Sequence, residues 1–170
     1  MRKLFRRMIG APRLDAQTYE EVEADPASIT GSVLVVLAAS VAAAIGSGVL
    51  DWAGLISTLM VSLATWAIWV GLTYFIGTQL LPGPETHSSI AEVLRTTGFS
   101  AAPGVLRILG LIPGIGWAIF IGITVWMLLT FIVAIRQALD YSNSGRAFAV
   151  CFLGWLIYGV LFFGFVLAAL

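Results

Sequence analysis

Residues 108–135 read ILGLIPGIGWAIFIGITVWMLLTFIVAI, 28 residues without one charge. A helix needs about 20 mostly apolar residues to cross a hydrocarbon core about 30 Å thick. One turn interrupts the stretch, Pro113-Gly114-Ile115-Gly116, where proline and glycine fall at minimal spacing. Residues 117 to about 137 therefore read as one membrane-crossing helix, and the residues before the turn as the end of another. Working outward, three more charge-free runs appear at 26–50, 52–84 and 147–170, with 25, 33 and 24 residues. None alternates with the period of two that a transmembrane strand requires. Helices are then the remaining way to satisfy the backbone in lipid.

The whole chain agrees with that stretch. Its 170 residues are 59% hydrophobic and 11% charged, with a mean hydropathy of +0.99. A soluble domain carries roughly 25% charged and 45–50% apolar residues, and a sphere this small cannot hide such an excess. A soluble enzyme, a nucleic-acid binder and a disordered tail are excluded. Cys151 is the single cysteine and His87 the single histidine, so neither an intramolecular disulfide nor a metal site is expected. Cys151 reads as a buried thiol or as a palmitoylation site. No phosphate-cradling glycine loop, G-x-S-x-G or HExxH is present, and no acid falls mid-run to relay protons. No cofactor or catalytic residue is predicted.

These runs predict an all-α polytopic bundle. Residues 1–25 form a cytoplasmic amphipathic and acidic segment, and 26–170 a membrane domain with spans at about 26–48, 54–80, 96–112, 117–137 and 148–170. Asp25 is placed to cap the first span, with Pro26 at its first helical position. The second span stops before Pro82-Gly83-Pro84. Ser89-Ile90-Ala91-Glu92 is a capping-box pattern, opening a helix that continues through Phe99, Pro103 and Arg107 to about Ile112. Charge sets the orientation. With five spans and the N-terminus inside, Arg2, Lys3, Arg6, Arg7, Arg13, Arg95, Arg136 and Arg146 all face the cytoplasm, while the outer loops near 47–53 and 113–116 carry no Lys or Arg. Were 96–112 not to cross, the loop bearing Arg136 and Arg146 would fall outside. The expected topology is N-in, C-out, in the cell inner membrane, with Trp52 and Trp117 at the outer interface and Tyr141 at the inner one.

Four features bear on function. Met1, Leu4, Phe5, Met8 and Ile9 recur at helical spacing, with Arg2, Lys3, Arg6 and Arg7 on the other face. Such a helix suits an anionic inner leaflet, either as a topogenic anchor or as a regulated partner surface. Thr18-Tyr19-Glu20-Glu21 is a second capping-box pattern, giving a short acidic helix to about Ala24, a solvated connector or a docking patch. Arg107 is the one ionisable residue well inside an apolar run, where a charge costs ~2.5–3.5 kcal/mol on insertion scales. Asp51 is the acid at the same end, so an Arg107–Asp51 pair is expected; the other possibility is an arginine snorkelling outward to phosphates. Small residues, Ala39, Ala42, Ala43 and Gly46 in the first span and Ala64, Ala67 and Gly71 in the second, predict close helix packing or contacts between copies.

The order of these features resembles a known family. The basic amphipathic stretch is followed by Pro12-Arg13, Thr18-Tyr19-Glu20 and Asp25-Pro26, then by five apolar spans, the third containing Thr97-Gly98-Phe99-Ser100-Ala101-Ala102-Pro103. Across roughly residues 10–168 this is similar to the Yip domain family of multi-pass membrane proteins, first known as partners of Ypt/Rab GTPases, and in particular to its prokaryotic branch. Gly98, Phe99, Pro103, Pro113, Gly114 and Trp126 match the positions that recur there. The Asp-Leu-Tyr-Gly-Pro motif of the eukaryotic branch is missing, so Rab-dependent trafficking is not carried over. The resemblance implies a non-catalytic scaffold or adaptor. Its expected partners are the bilayer, anionic inner-leaflet lipids at residues 2–9, and a membrane protein or second copy, with no nucleic acid. The alternatives are a small transporter or channel, in which Arg107 beside Pro103 lines an anion or lipid-headgroup site, or an accessory subunit of a larger membrane complex.

Overall fold

The backbone changes its helical type where Pro103 interrupts the third apolar segment, and much of the architecture follows from that change. In the computed structural model, residues 2–168 are described, with side chains described through Val160. Met1 and residues 169–170, the end of the expected fifth span, lie outside them. The elements are α1 (Arg2–Gly10), a 3₁₀ turn (Ala11–Arg13), α2 (Ala16–Glu23), α3 (Ser28–Gly46), α4 (Trp52–Phe75) running into a π turn (Ile76–Leu80), α5 (Ile90–Ser100), a 3₁₀ segment (Ala102–Leu111), α6 (Gly116–Ala138) and α7 (Ser144–Ala168). Among the described residues there is no strand. Ser28–Gly46, Trp52–Leu80 and Gly116–Ala138 are long and apolar enough to cross a membrane, and Ser144–Val160 is a shorter apolar helix.

The helix expected to run unbroken from Ile90 to Ile112 is therefore two helices. Proline lacks the N–H that would bond to the carbonyl four residues back. Beyond it, the Gly104 amide bonds to Ala101 O at 2.8 Å, three residues back. The Ser100 carbonyl, freed from the ladder, takes Thr130 Oγ1 of α6 at 2.8 Å. A freed carbonyl in a water-poor interior needs such a donor. Runs of 3₁₀ helix rarely exceed three or four residues; this one lasts ten.

It lasts because its period fits its neighbour. A 3₁₀ helix has 3.0 residues per turn, so Gly104 and Gly110, six apart, share a face, and Gly98 at the end of α5 precedes them on the α3 side. They meet Ser32, Ala39 and Gly46 of α3, seven apart and hence close to two α-helical turns. A Cβ on Gly98 would lie 2.4 Å from Ser32 Cβ, one on Gly104 2.9 Å from Ala39 Cβ, and one on Gly110 2.7 Å from the Gly46 carbonyl oxygen. This seam is the most extensive contact in the molecule, and α6 closes its other side.

Capping residues set the remaining boundaries. Ser89 and Glu92 form the expected reciprocal box, with bonds of 3.3 and 2.7 Å. The box expected at Thr18 does not form; Asp15 caps α2, accepting from the Gln17 amide at 3.2 Å and the Thr18 hydroxyl at 2.7 Å. The start expected at Pro26 shifts to Ser28, because the Asp25 carboxylate accepts from the Ala27 amide at 3.1 Å and holds Pro26-Ala27 in a turn. Tyr141 Oη donates to Leu81 O at 2.7 Å and Arg146 Nη1 to Pro82 O at 3.1 Å, binding the end of α4 to the α6–α7 loop.

Candidate functional site

The charged end of the bundle carries a helical hairpin made by α1 and α2. Leu4 and Met8 turn inward onto a cluster of Ala11, Tyr19, Val22, Val35, Phe99, Ala102 and Ala134. Phe5 and Ile9 stay exposed at 60% and 55%, beside exposed Arg2, Lys3 and Arg6. The apolar stripe thus divides between the bundle and the surroundings. Arg7 departs from expectation: it is buried, not on the outer basic face. Its guanidinium donates to Asp25 Oδ2 at 2.9 Å, Ser28 Oγ at 2.8 Å and the Glu21 carbonyl at 3.0 Å. The Arg7 hydrogen bond holds the Asp25 carboxyl below its usual range. Arg6 pairs with Glu21.

The hairpin is tied within itself and to the long helices. Tyr19 Oη donates to Ala11 O at 3.2 Å, and burial pushes its phenol upward. Gln137 Nε2 donates to Glu20 at 3.0 Å. Trp126 Nε1 donates to Pro12 O at 2.8 Å, although Trp126 lies twelve residues, about 18 Å of helix rise, before the end of α6. The hairpin therefore rises along the flank of the bundle instead of lying beneath it. Arg95, also buried, donates to the Glu23 carbonyl and lies 3.9 Å from Glu92. Burial, then the nearby Asp140 and Glu92 carboxylates, push Glu23 up to about 7, against the pull of Arg95. The hydrogen-bond partners that hold Arg7 and Arg95 inside lie 14 to 72 positions away in sequence.

The second feature is a cleft of about 760 Å³ between the α3–3₁₀–α6 core and α4 and α7. Ala39, Ala43, Trp66, Trp69, Phe131 and Trp155 are among its walls, and Arg107 and Thr124 among its polar groups. The expected Arg107–Asp51 pair is not made. Arg107 Nη2 donates to Thr124 Oγ1 at 2.9 Å, and its guanidinium carbon lies 4.4 Å from the Phe120 ring centre. Asp51 is the N-cap of α4, accepting from the Gly54 amide at 2.8 Å. Each group has another partner instead. Thr124, its partner, is eight residues, about 12 Å of rise, inside the start of α6.

The residues that carried the resemblance serve packing and turns. Gly98 and Phe99 lie in the α3 seam, Pro103 is buried, Pro113 is exposed, and Gly114 has the positive φ of +83° its turn requires. Ala64, Ala67 and Gly71, expected to pack against another helix, are exposed. Cys151 is buried on the cleft wall. The seam's signal in the sequence is Gly104 and Gly110, six apart and hence on one face of a 3₁₀ helix.

A family model described as the Yip1 domain matches residues 9–166. No curated protein and no solved structure matches the chain.

Proposed function

The chain belongs to the Yip1 domain family, and from that premise we propose that it is a five-pass adaptor of the cell inner membrane. It catalyses no reaction; it holds a cytoplasmic surface at a fixed place on the bilayer for a membrane-protein partner or a second copy. The observation that carries this reading is the hairpin fastened to the bundle through Arg7, Arg95, Gln137 and Trp126. A mere topogenic anchor has no need of such fixation. Exposed Phe5 and Ile9, flanked by Arg2, Lys3 and Arg6, give that surface an apolar edge and positive charge suited to anionic lipid.

The five-span, N-in and C-out topology belongs to the same proposal. Taken as an α-helix, 96–112 is short for a span. With α-helical rise to Ser100 and 3₁₀ rise beyond, it covers about 30 Å, the thickness of the hydrocarbon core. Arg95, Arg136 and Arg146 then fall at the cytoplasmic end.

Photo-cross-linking in native membranes tests the adaptor reading. A photoreactive residue at Ile9 is expected to capture protein, and one at Val125, exposed on α6, to capture lipid alone. Deleting residues 2–9 should abolish the protein adduct from a photoreactive residue at Arg13 while the bundle stays in the membrane. Equal protein capture at 9 and 125, or an Arg13 adduct indifferent to the deletion, overturns it. One observation favours a small transporter instead, the cleft beside Arg107; anion flux into liposomes that vanishes in Arg107→Ala would replace the adaptor with that reading.

A further inference from the structure

We infer that the cleft is a binding site for one phospholipid of the surrounding bilayer, its phosphate held by Arg107 and an acyl chain laid along the aromatic wall. The inference stands apart from the adaptor proposal, since it uses none of the hairpin's residues.

Charge is the first argument. Among the described lining residues Arg107 is the one cation and no carboxylate faces it. Its nearest hydrogen-bond partner is a neutral hydroxyl, and the Thr124 hydrogen is itself given to Phe120 O at 2.8 Å. Thr124 therefore accepts from Arg107 and cannot neutralise it. Arg107 Nε is buried with no partner, and Nη1 makes no hydrogen bond among the described residues. Guanidinium nitrogens in that fork match two oxygens of a phosphate. A half-buried cation with free donors calls for an anion.

Shape is the second. From Arg107 the cleft extends past Ser40 and Met127 to Thr97, Trp66 and Cys151, and its walls are overwhelmingly carbon. Its volume of about 760 Å³ lies inside the roughly 300–1,000 Å³ range of ligand sites. An inorganic anion would occupy the Arg107 end and leave the remainder empty, whereas an anionic headgroup with a hydrocarbon tail fills both. Access is the third. Val61 of α4 and Phe152 and Trp155 of α7 line the cleft, yet each is more than half exposed. The cleft thus opens sideways, toward lipid, at its α4 and α7 walls.

The test is native mass spectrometry of the full-length protein titrated with phosphatidylglycerol, alongside inorganic phosphate and a neutral diacylglycerol. One phosphatidylglycerol per chain is expected to survive mild activation. Arg107→Ala should weaken its binding at least tenfold. Ala43→Phe, which fills the cleft and leaves the arginine in place, should weaken it comparably and serves where Arg107→Ala does not fold. Neither phosphate nor diacylglycerol alone should be retained. Equal retention by the wild type and Ala43→Phe overturns the site. Saturable phosphate binding without lipid assigns it to a free anion, and diacylglycerol binding as tight as phosphatidylglycerol removes Arg107 from the account.

Discussion

α3 and α4 have mean hydropathies of 2.2 and 1.8 over their membrane-like windows, yet 39% of the first window is buried in the bundle and 6% of the second. Hydropathy identifies which segments enter the bilayer and says little about which of them pack. Burial follows small and hydroxyl residues at a spacing the neighbour shares. Ser32, Ala39 and Gly46 meet glycines of matching period, whereas Ala64, Ala67 and Gly71 on α4 meet no such row and stay exposed. The core is closed on backbone atoms; the periphery leaves a cleft.

That comparison can be broken at single residues. The largest effect is expected for Gly46→Val, because a Cβ there lies 1.9 Å from the Arg107 carbonyl oxygen. Overpacking ordinarily costs about 1–3 kcal/mol, and a collision with backbone, which cannot rotate away, exceeds that; folded, monodisperse protein recovered in detergent should fall sharply. Thr130→Val comes next. It strips the donor from the Ser100 carbonyl at the α5–3₁₀ junction, a loss of about 1–3 kcal/mol for a buried unsatisfied group, measurable as a lowered unfolding midpoint.

Glu23→Gln tests the charged end. The native fold holds this carboxyl at about 7 against its usual 4.5, so the folded state binds more protons and loses stability as pH rises across that window. The surrounding charges are Glu20, Glu92, Asp140 and Arg95. The variant should show a flatter stability profile from pH 4.5 to 7 and exceed the wild type above it; unchanged profiles would mean that Glu23 is solvated. The smallest effect belongs to Gly122→Ala on α6, where a Cβ would meet nothing within 4 Å. Its stability, read at the unfolding midpoint, should rise by about 0.5–1 kcal/mol, alanine's helical preference over glycine, and a loss would show that this face is covered.

The helical class, the turn at Pro113-Gly114 and the Ser89 box were all legible, because each rests on neighbours in sequence. Arg107 was legible as an anomaly, but its partner was not. Hydropathy places Asp51 and Arg107 at one end of the bundle and cannot show that Asp51 is already engaged by the Gly54 amide of its own helix. Arg7 stands about 100° round α1 from Arg6, on the side of Leu4 and Met8, where Asp25 and Ser28 meet it. The 3₁₀ segment escaped because Pro103 announces a break without saying which helix follows it. The six-residue spacing of Gly104 and Gly110 fits a period of three.

The central claim is that the short α5–3₁₀ segment crosses the bilayer as the third of five spans. Single cysteines at Ser47, Glu85 and Ile115, in a Cys151→Ala background, should be tested with a membrane-impermeant maleimide on sealed, right-side-out vesicles. The account predicts labelling at 47 and 115 from outside, and labelling at 85 only after the vesicles are opened. Protection of 115 together with 85 would place the Pro113-Gly114 turn on the cytoplasmic side and contradict it.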